Sequence, residues 1–195
     1  MGILAFNLEW MPWNILLALI GVLFGFLMVR NKNIVVRAFC AFIWLLFMPN
    51  TIYILTDLWH LPEQLPKIAS NLILPLILQY IILEIAGIGT FIIGLYFFER
   101  LIRDKKYRLQ EAQVTFLLLA VNFVIGFGVV VGRVQRTNSW EVFTNIGRVF
   151  QDAYNVLISP TLIIFTIAIA VIGNVLYFLF RDPVVGIFKG KKKKK

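Results

Sequence analysis

Five blocks of apolar residues, each about as long as a bilayer is thick, dominate this sequence. They cover residues 12–29, 34–55, 72–98, 114–132 and 156–180. A helix needs about 20 apolar residues to cross the hydrocarbon core, where every backbone polar group must be satisfied within the protein. The sequence therefore predicts an all-α fold, a polytopic integral membrane bundle of about five transmembrane helices, in a single membrane domain of residues 1–195.

The composition excludes a soluble domain. Hydrophobic residues make up 60% of the chain and charged residues 15%, against about 45–50% and about 25% in soluble proteins. The net charge of +9 comes from basic residues in the loops and in the tail, residues 181–195, which ends in five lysines. In a membrane protein this pattern indicates topology and contact of the tail with anionic lipid, and no nucleic acid is expected as a partner.

The distribution of Lys and Arg among the connections predicts the orientation. The first and third loops and the tail are rich in basic residues, whereas the second loop has only Lys67. Because basic residues in short loops favour the cytoplasm, we predict a multi-pass plasma membrane protein with its N-terminus outside and its C-terminus cytoplasmic. Arg133, Arg136 and Arg148 then lie on the outer side against the trend, which suggests that they serve partners there.

The fourth connection, residues 138–157, has helical periodicity. Asn138 followed by Glu141 matches a capping box at the start of a helix. Aromatic and apolar residues then recur on one face, at Trp140, Phe143, Gly147, Phe150, Tyr154 and Leu157. This pattern predicts one amphipathic helix at the outer membrane interface, either contacting lipid or covering the bundle as a lid.

The second apolar block ends in a polar cluster within MPNTIYILTDLWHL, residues 48–61. Asn50, Tyr53, Asp57 and His60 follow one another at i, i+3, i+7 and i+10. One continuous helix would carry all four on the same face. Pro49 is expected to loosen that helix, and Asn50 is expected to bond either the freed carbonyl or a neighbouring helix.

The sequence GRVQRTNSWE, residues 132–141, offers partners for this cluster. Arg133 and Arg136 are expected to reach Asp57, in the bidentate geometry typical of arginine and carboxylate, and Glu141 is a second available anion. A network of this kind fits a structural clip between two loops. It also fits a binding site, or an enzyme in which Asp57 and His60 are the acid/base pair.

Three functions stay open on these residues. The first is binding of an anionic headgroup or a partner at the outer face; the second is an enzyme acting on a lipid-linked or phosphorylated substrate. The third is a small transporter subunit that uses Glu84, which with Asn122 is polar within an apolar block. No metal or cofactor is expected, since the chain has one histidine and one cysteine. The candidate ligand-binding residues are Asn50, Tyr53, Asp57, His60, Arg133, Arg136, Asn138, Trp140 and Glu141.

Two further patterns concern packing. The third block exceeds one untilted span, so Pro75 is expected to separate a short initial segment, with a re-entrant turn as an alternative, from a helix that begins near Leu76. Glycines four residues apart predict close helix contacts, within the bundle or across a homodimer, at Gly21/Gly25 and Gly128/Gly132.

Two long segments also resemble a known family. WLLFMPNTIYILTDLWHL is similar to the pattern LPNxxYxxTDLxHL, and GFGVVVGRVQRTNSWEV is similar to GxYLGRxxRxNSWD. Both are typical of the bacterial membrane proteins called domain of unknown function 1361, whose opening and third-span segments resemble FNLEWMPW and GLYFFERLI. The resemblance implies a polytopic membrane fold and adds no reaction. Met48, Thr137 and Glu141 depart from the pattern, and Thr137 stands where the family often has a tryptophan.

Overall fold

The structure, a computed structural model, describes residues 2–189. All regular elements of that part of the chain are helical, and five stretches of helix are long and apolar enough to cross a membrane. This confirms the predicted all-α membrane fold. The α-helices of the described residues are α1 Ile3–Arg30, α2 Ile34–Phe47, α3 Pro49–Thr56, α4 His60–Gln64, α5 Ile73–Ile102, α6 Glu111–Val134, α7 Glu141–Thr144, α8 Ile146–Ile158 and α9 Pro160–Lys189.

The second span is interrupted where proline enters it. Pro49 has no N–H, so α2 ends at Phe47 and α3 starts at Pro49. The backbone N–H of Thr51 donates to the carbonyl of Met48. The Phe47 carbonyl instead accepts from the Asn50 side chain at 3.0 Å. The break expected at Pro49 is therefore present, and Asn50 satisfies the carbonyl that it frees.

The third span contains no such break. Helix α5 runs without interruption from Ile73 to Ile102, with Pro75 in its first turn. A proline is tolerated there because a first-turn N–H has no partner within the helix. The division at Pro75, the helix beginning near Leu76 and the re-entrant alternative are therefore wrong.

The fourth connection forms two helices, so the single amphipathic helix predicted over residues 138–157 is also wrong. Asn145 breaks it with an extended φ of −149°, and its side chain caps α8 by accepting from the Arg148 N–H. Only half of the capping box forms, because Glu141 accepts from the Asn138 N–H without a reciprocal bond. The last span starts at Pro160, since residues 156–158 belong to α8. Exposed apolar residues still follow one face of α8: Phe150, Tyr154 and Leu157.

Close contacts between helices depend on two glycines of α6. A Cβ on Gly126 would lie 2.8 Å from the Thr166 carbonyl oxygen of α9. A Cβ on Gly128 would lie 2.5 Å from Cγ of Pro49 in α3. Of the predicted pair Gly128/Gly132, Gly128 therefore serves packing within the bundle, and a homodimer face stays a prediction.

A buried carboxylate joins the helices at the end of the bundle that holds the first and third loops. Glu99 of α5 accepts from Arg103, from Arg181 of α9 at 3.0 Å and from the hydroxyl of Tyr177. Hydrogen bonds to Glu111 and to Glu99 raise the pKa of Arg103 above its usual value. Sequence reasoning did not single out this cluster, because Glu99 directly follows the apolar block 72–98 and its partners on α9 are distant in sequence. The lysine run beyond residue 189 lies outside the described residues, and its contact with anionic lipid stays a prediction.

Cysteine labelling tests the orientation, which stays a prediction as well. Cys40 is buried, so a Cys40→Ala background should tolerate single cysteines at the exposed positions Glu63 and Lys105. We expect a membrane-impermeant maleimide to label Glu63→Cys on intact cells, and Lys105→Cys only after permeabilisation. The reverse order, or labelling of both positions from outside, would overturn the orientation.

Candidate functional site

A cavity of about 620 Å³ opens where the middle of α1, helix α3 and the end of α6 meet the loop before α7. Seven of the predicted ligand-binding residues line it, and two do not. The lining side chains include Asn50, Tyr53, His60, Arg133, Arg136, Asn138 and Trp140, together with Asn14 and Ser139. Asp57 and Glu141 lie outside the lining.

Asp57 lies behind the cavity wall, 2% exposed. One carboxylate oxygen accepts from Nη1 of Arg133 at 3.0 Å, and the other accepts from Nδ2 of Asn14 at 2.8 Å. The second guanidinium nitrogen of Arg133 donates to the Thr56 carbonyl at 3.2 Å. The predicted pair of Arg133 and Asp57 is therefore present, but the bidentate geometry is wrong because Asn14 occupies the second oxygen.

Arg133 is fixed in place from several directions. Besides Asp57 and Thr56, the Tyr53 ring lies below its guanidinium, with the Cζ atom 5.1 Å from the ring centroid. A cation over an aromatic face is attracted by the ring quadrupole. The side chain is nevertheless 29% exposed and lines the cavity. Arg133 thus presents a positioned positive charge to the cavity.

Arg136 differs from Arg133 and Arg148, which lie in helices α6 and α8. It follows the end of α6 with a φ of 57°, in the left-handed region. Its side chain lines the cavity and, within residues 2–189, no acidic group lies within ion-pair distance of it. The prediction that Arg136 pairs with Asp57 is therefore wrong. The left-handed turn ends the helix, so Arg136 does not continue the α6 face that carries Arg133.

Arg148 forms an ion pair with Glu141, the acid that was expected to pair with Arg133 and Arg136. Its Nη1 lies 2.9 Å from Oε1 of Glu141, and its Nε lies 3.5 Å from Asp152. Thr137 also donates to Asp152, at 2.6 Å. Glu141 thus braces α7 and α8 and does not serve as a second anion for Arg133 and Arg136. The idea that outer arginines are committed to partners applies to Arg133 and Arg148, and not to Arg136.

Two contacts join the fourth loop to the spans, one to the second span and one to the first. The Asn50 side chain donates to the Ser139 hydroxyl at 3.0 Å. On the other side of the cavity the rings of Trp13 and Trp140 meet edge to face, with centroids 6.4 Å apart. Sequence reasoning missed Asn14 and Trp13, for which the only signals are an amide and an indole within the first apolar block.

His60 faces the cavity without Asp57. Its side chain is 41% exposed, and its Nδ1 lies 3.8 Å from Glu63. The Trp10 ring packs against it edge to face, with centroids 6.0 Å apart. A turn of 3-10 helix, Asp57–Trp59, separates α3 from α4, so the continuous one-face ladder expected from the spacing does not form. The acid/base pair of Asp57 and His60 would require Asp57 to leave two hydrogen bonds.

The two intramembrane polar residues lie away from the cavity lining. Asn122 of α6 donates to Asn174 of α9 at 2.7 Å, and Asn174 donates to the Ala170 carbonyl. Oε1 of Glu84 is buried and has no hydrogen-bond partner within the described part of the chain. Asn122 thus joins two helices, and Asn174 is a partner that sequence reasoning missed.

Fold and site together define a multi-pass membrane helical bundle with an arginine-lined polar cavity at one end. Within residues 2–189, no group of three or more His, Cys, Asp or Glu side chains is placed to hold a metal. The family described as "Protein of unknown function (DUF1361)" matches residues 13–176, so the chain belongs to that family. No curated protein and no solved structure gives a significant match. The function is therefore argued from the cavity.

Proposed function

We propose that this protein binds an anionic group, a phosphate or a carboxylate, in the arginine-lined cavity at the outer face of the plasma membrane. The observation that carries the proposal is the guanidinium of Arg136, which lines the cavity beside Arg133 and has no acidic partner within the described residues. A guanidinium has five donors in a planar fork that suits phosphate and carboxylate oxygens. Asp57 neutralises one of the two arginine charges. An anion between the two arginines would neutralise the other.

The rest of the cavity fits a small polar group. Its volume of about 620 Å³ lies within the range of about 300–1,000 Å³ typical of ligand sites. Asn138 and Ser139 add side chains that can donate to an anion. Asp57 has the role of a positioning residue, because it holds Arg133 from behind.

The charge distribution supports the outer face. Basic residues concentrate in the first and third loops and in the tail, and the cavity lies at the opposite end of the spans. By the positive-inside rule the cavity then faces outward, where its arginines require a reason to be present.

Arg136→Gln should weaken binding of inorganic phosphate and of methyl phosphate by about 10- to 100-fold, the usual range for a hydrogen bond to a charged group. Titration calorimetry on the detergent-solubilised protein measures this difference. Lys67→Gln is the matched control, since it removes one positive charge from an exposed position outside the cavity lining. Equal affinities for the two variants would contradict the proposal.

A second candidate function follows from His60, which lines the same cavity. An imidazole beside a bound phosphate ester suits general acid/base catalysis, with the arginines stabilising developing negative charge. Under this alternative, wild type releases phosphate from an ester, and His60→Gln retains binding while it loses turnover. Binding without any turnover in wild type supports the binding function alone.

A further inference from the structure

We infer that the anion bound in the cavity is the headgroup of an amphiphile, whose alkyl chain lies in an apolar groove that adjoins the cavity. This inference rests on the proposed anion site and adds the class of ligand to it. The apolar groove is a depression of about 240 Å³ between α2, α6 and the α7–α8 segment. Its apolar lining includes Phe42, Leu45, Val124, Phe127, Val142 and Ala153.

Cavity and groove adjoin each other. They share five lining residues: Pro49, Gly128, Thr137, Asn138 and Ser139. Gly128 has no side chain, which lets α6 approach Pro49 of α3, and both residues lie at the border of cavity and groove. One molecule bound across this border would place a charged end against Arg136 and an apolar end against Phe42.

The surroundings of the groove suit a chain that arrives from the bilayer. Phe42, Val124 and Phe143 are about half exposed or more at its margin, at 48%, 46% and 61%. The rings of Phe42 and Phe143 meet edge to face with centroids 6.4 Å apart. Exposed side chains of this kind in a membrane protein face hydrocarbon. Arg133 lies in the last turn of α6 and Arg136 just after its end, so the charge of the cavity and the apolar surface of the groove match the two ends of one anionic lipid.

A partner helix fits the groove less well. A helix with its side chains is about 10 Å across, whereas the groove holds only about 240 Å³ and borders the arginine-lined cavity. A free anion would use the cavity and leave the groove without a role. Alkyl phosphates of different length separate these possibilities, because they share the phosphate and differ only in the chain.

The experiment compares butyl phosphate with octyl phosphate on the solubilised full chain. For wild type we expect octyl phosphate to bind at least about tenfold more tightly, since four further methylenes leave water. Ala153→Phe fills the groove from α8, so the preference should fall below about threefold with butyl phosphate binding unchanged. Val142→Phe fills it from α7 and provides a second variant if the first fails to fold. Ala120→Phe, on an exposed surface outside groove and cavity, is the control for partition into micelles.

The outcomes distinguish an alkyl chain in the groove, a free anion in the cavity alone and a second copy of the chain in the groove. An octyl preference that is the same in Ala153→Phe and in Ala120→Phe would overturn the inference and leave the anion site intact. Equal binding of butyl phosphate by wild type and Arg136→Gln would instead overturn the proposed function. If Ala153→Phe dissociates a dimer in native mass spectrometry without changing the octyl preference, the groove holds a second copy and the inference is wrong.

Discussion

Replacing Arg133 by alanine should lower the melting temperature of the solubilised protein by about 6–12 °C. Asp57 is 2% exposed, and the substitution would leave its carboxylate buried with only Asn14 as a hydrogen-bond donor. Breaking a buried ion pair costs about 3–5 kcal/mol. Because Arg133 is 29% exposed, we expect about 3 kcal/mol, and each kcal/mol corresponds to about 2–4 °C in a chain of this size.

Arg136→Ala is the matched control for that measurement. It removes the same type of side chain three residues further along the chain, but no acid within the described residues pairs with it. It should therefore melt within about 2 °C of wild type, as is usual for surface substitutions. Asp57→Asn should cost less than Arg133→Ala, because Arg133 keeps its contacts with Tyr53 and water. Equal melting temperatures for Arg133→Ala and Arg136→Ala would contradict the assigned roles.

Gly126→Val should also destabilise the fold strongly. A Cβ there would lie 2.8 Å from the Thr166 carbonyl oxygen and 3.1 Å from the Ala170 nitrogen, both backbone atoms of α9. Backbone atoms cannot swing away as a flexible side chain can, so α6 and α9 must separate. Overpacking costs about 1–3 kcal/mol, and opening this contact also disturbs the bond between Asn122 and Asn174.

Gly89→Val provides the control for Gly126→Val. Gly89 lies in the middle of α5, and nothing is found within 4 Å of a Cβ built on it. The change in helix propensity is the same in both variants, so their difference isolates the contact with α9. In a thermal shift assay Gly126→Val should melt about 4–8 °C below Gly89→Val. A difference within error would show that α9 can shift at little cost.

The sequence predicted the spans and one pair of the site for clear physical reasons. Apolar blocks of about 20 residues favour membrane-spanning helices, because a helix satisfies its backbone polar groups within the bilayer. Asp57 and Arg133 lie at the ends of two such blocks on the same side, and a charge at that depth requires a partner. The structure joins them at 3.0 Å.

The remaining features depend on tertiary contacts and local helix breaks, which the spacing of residues in the sequence does not predict. Asn14 reaches Asp57 only because α1 packs beside α3. Arg136 itself has a left-handed conformation just after the end of α6, so it does not share the helix face of Arg133. Asn145 divides a stretch whose apolar spacing suits one helix, and Glu141 then meets Arg148. In each case a local break or a tertiary neighbour outweighs the helical pattern.

The two arginines therefore separate stability from ligand binding. Arg133 contributes to both, since its guanidinium contacts Asp57 and lines the cavity. Under the proposed function, Arg136 contributes to binding alone. A variant set built on these two positions distinguishes an anion site from a structural clip, because a clip would be insensitive to Arg136.

A crystal structure of the full chain with 8-bromooctyl phosphate tests the central claim most directly. Phosphate oxygens should lie about 3 Å from the guanidinium of Arg136, with Arg133 on the other side and the anomalous signal of bromine in the groove beside Ala153. A cavity without phosphate, or Arg136 turned onto a carboxylate of the protein, would contradict it.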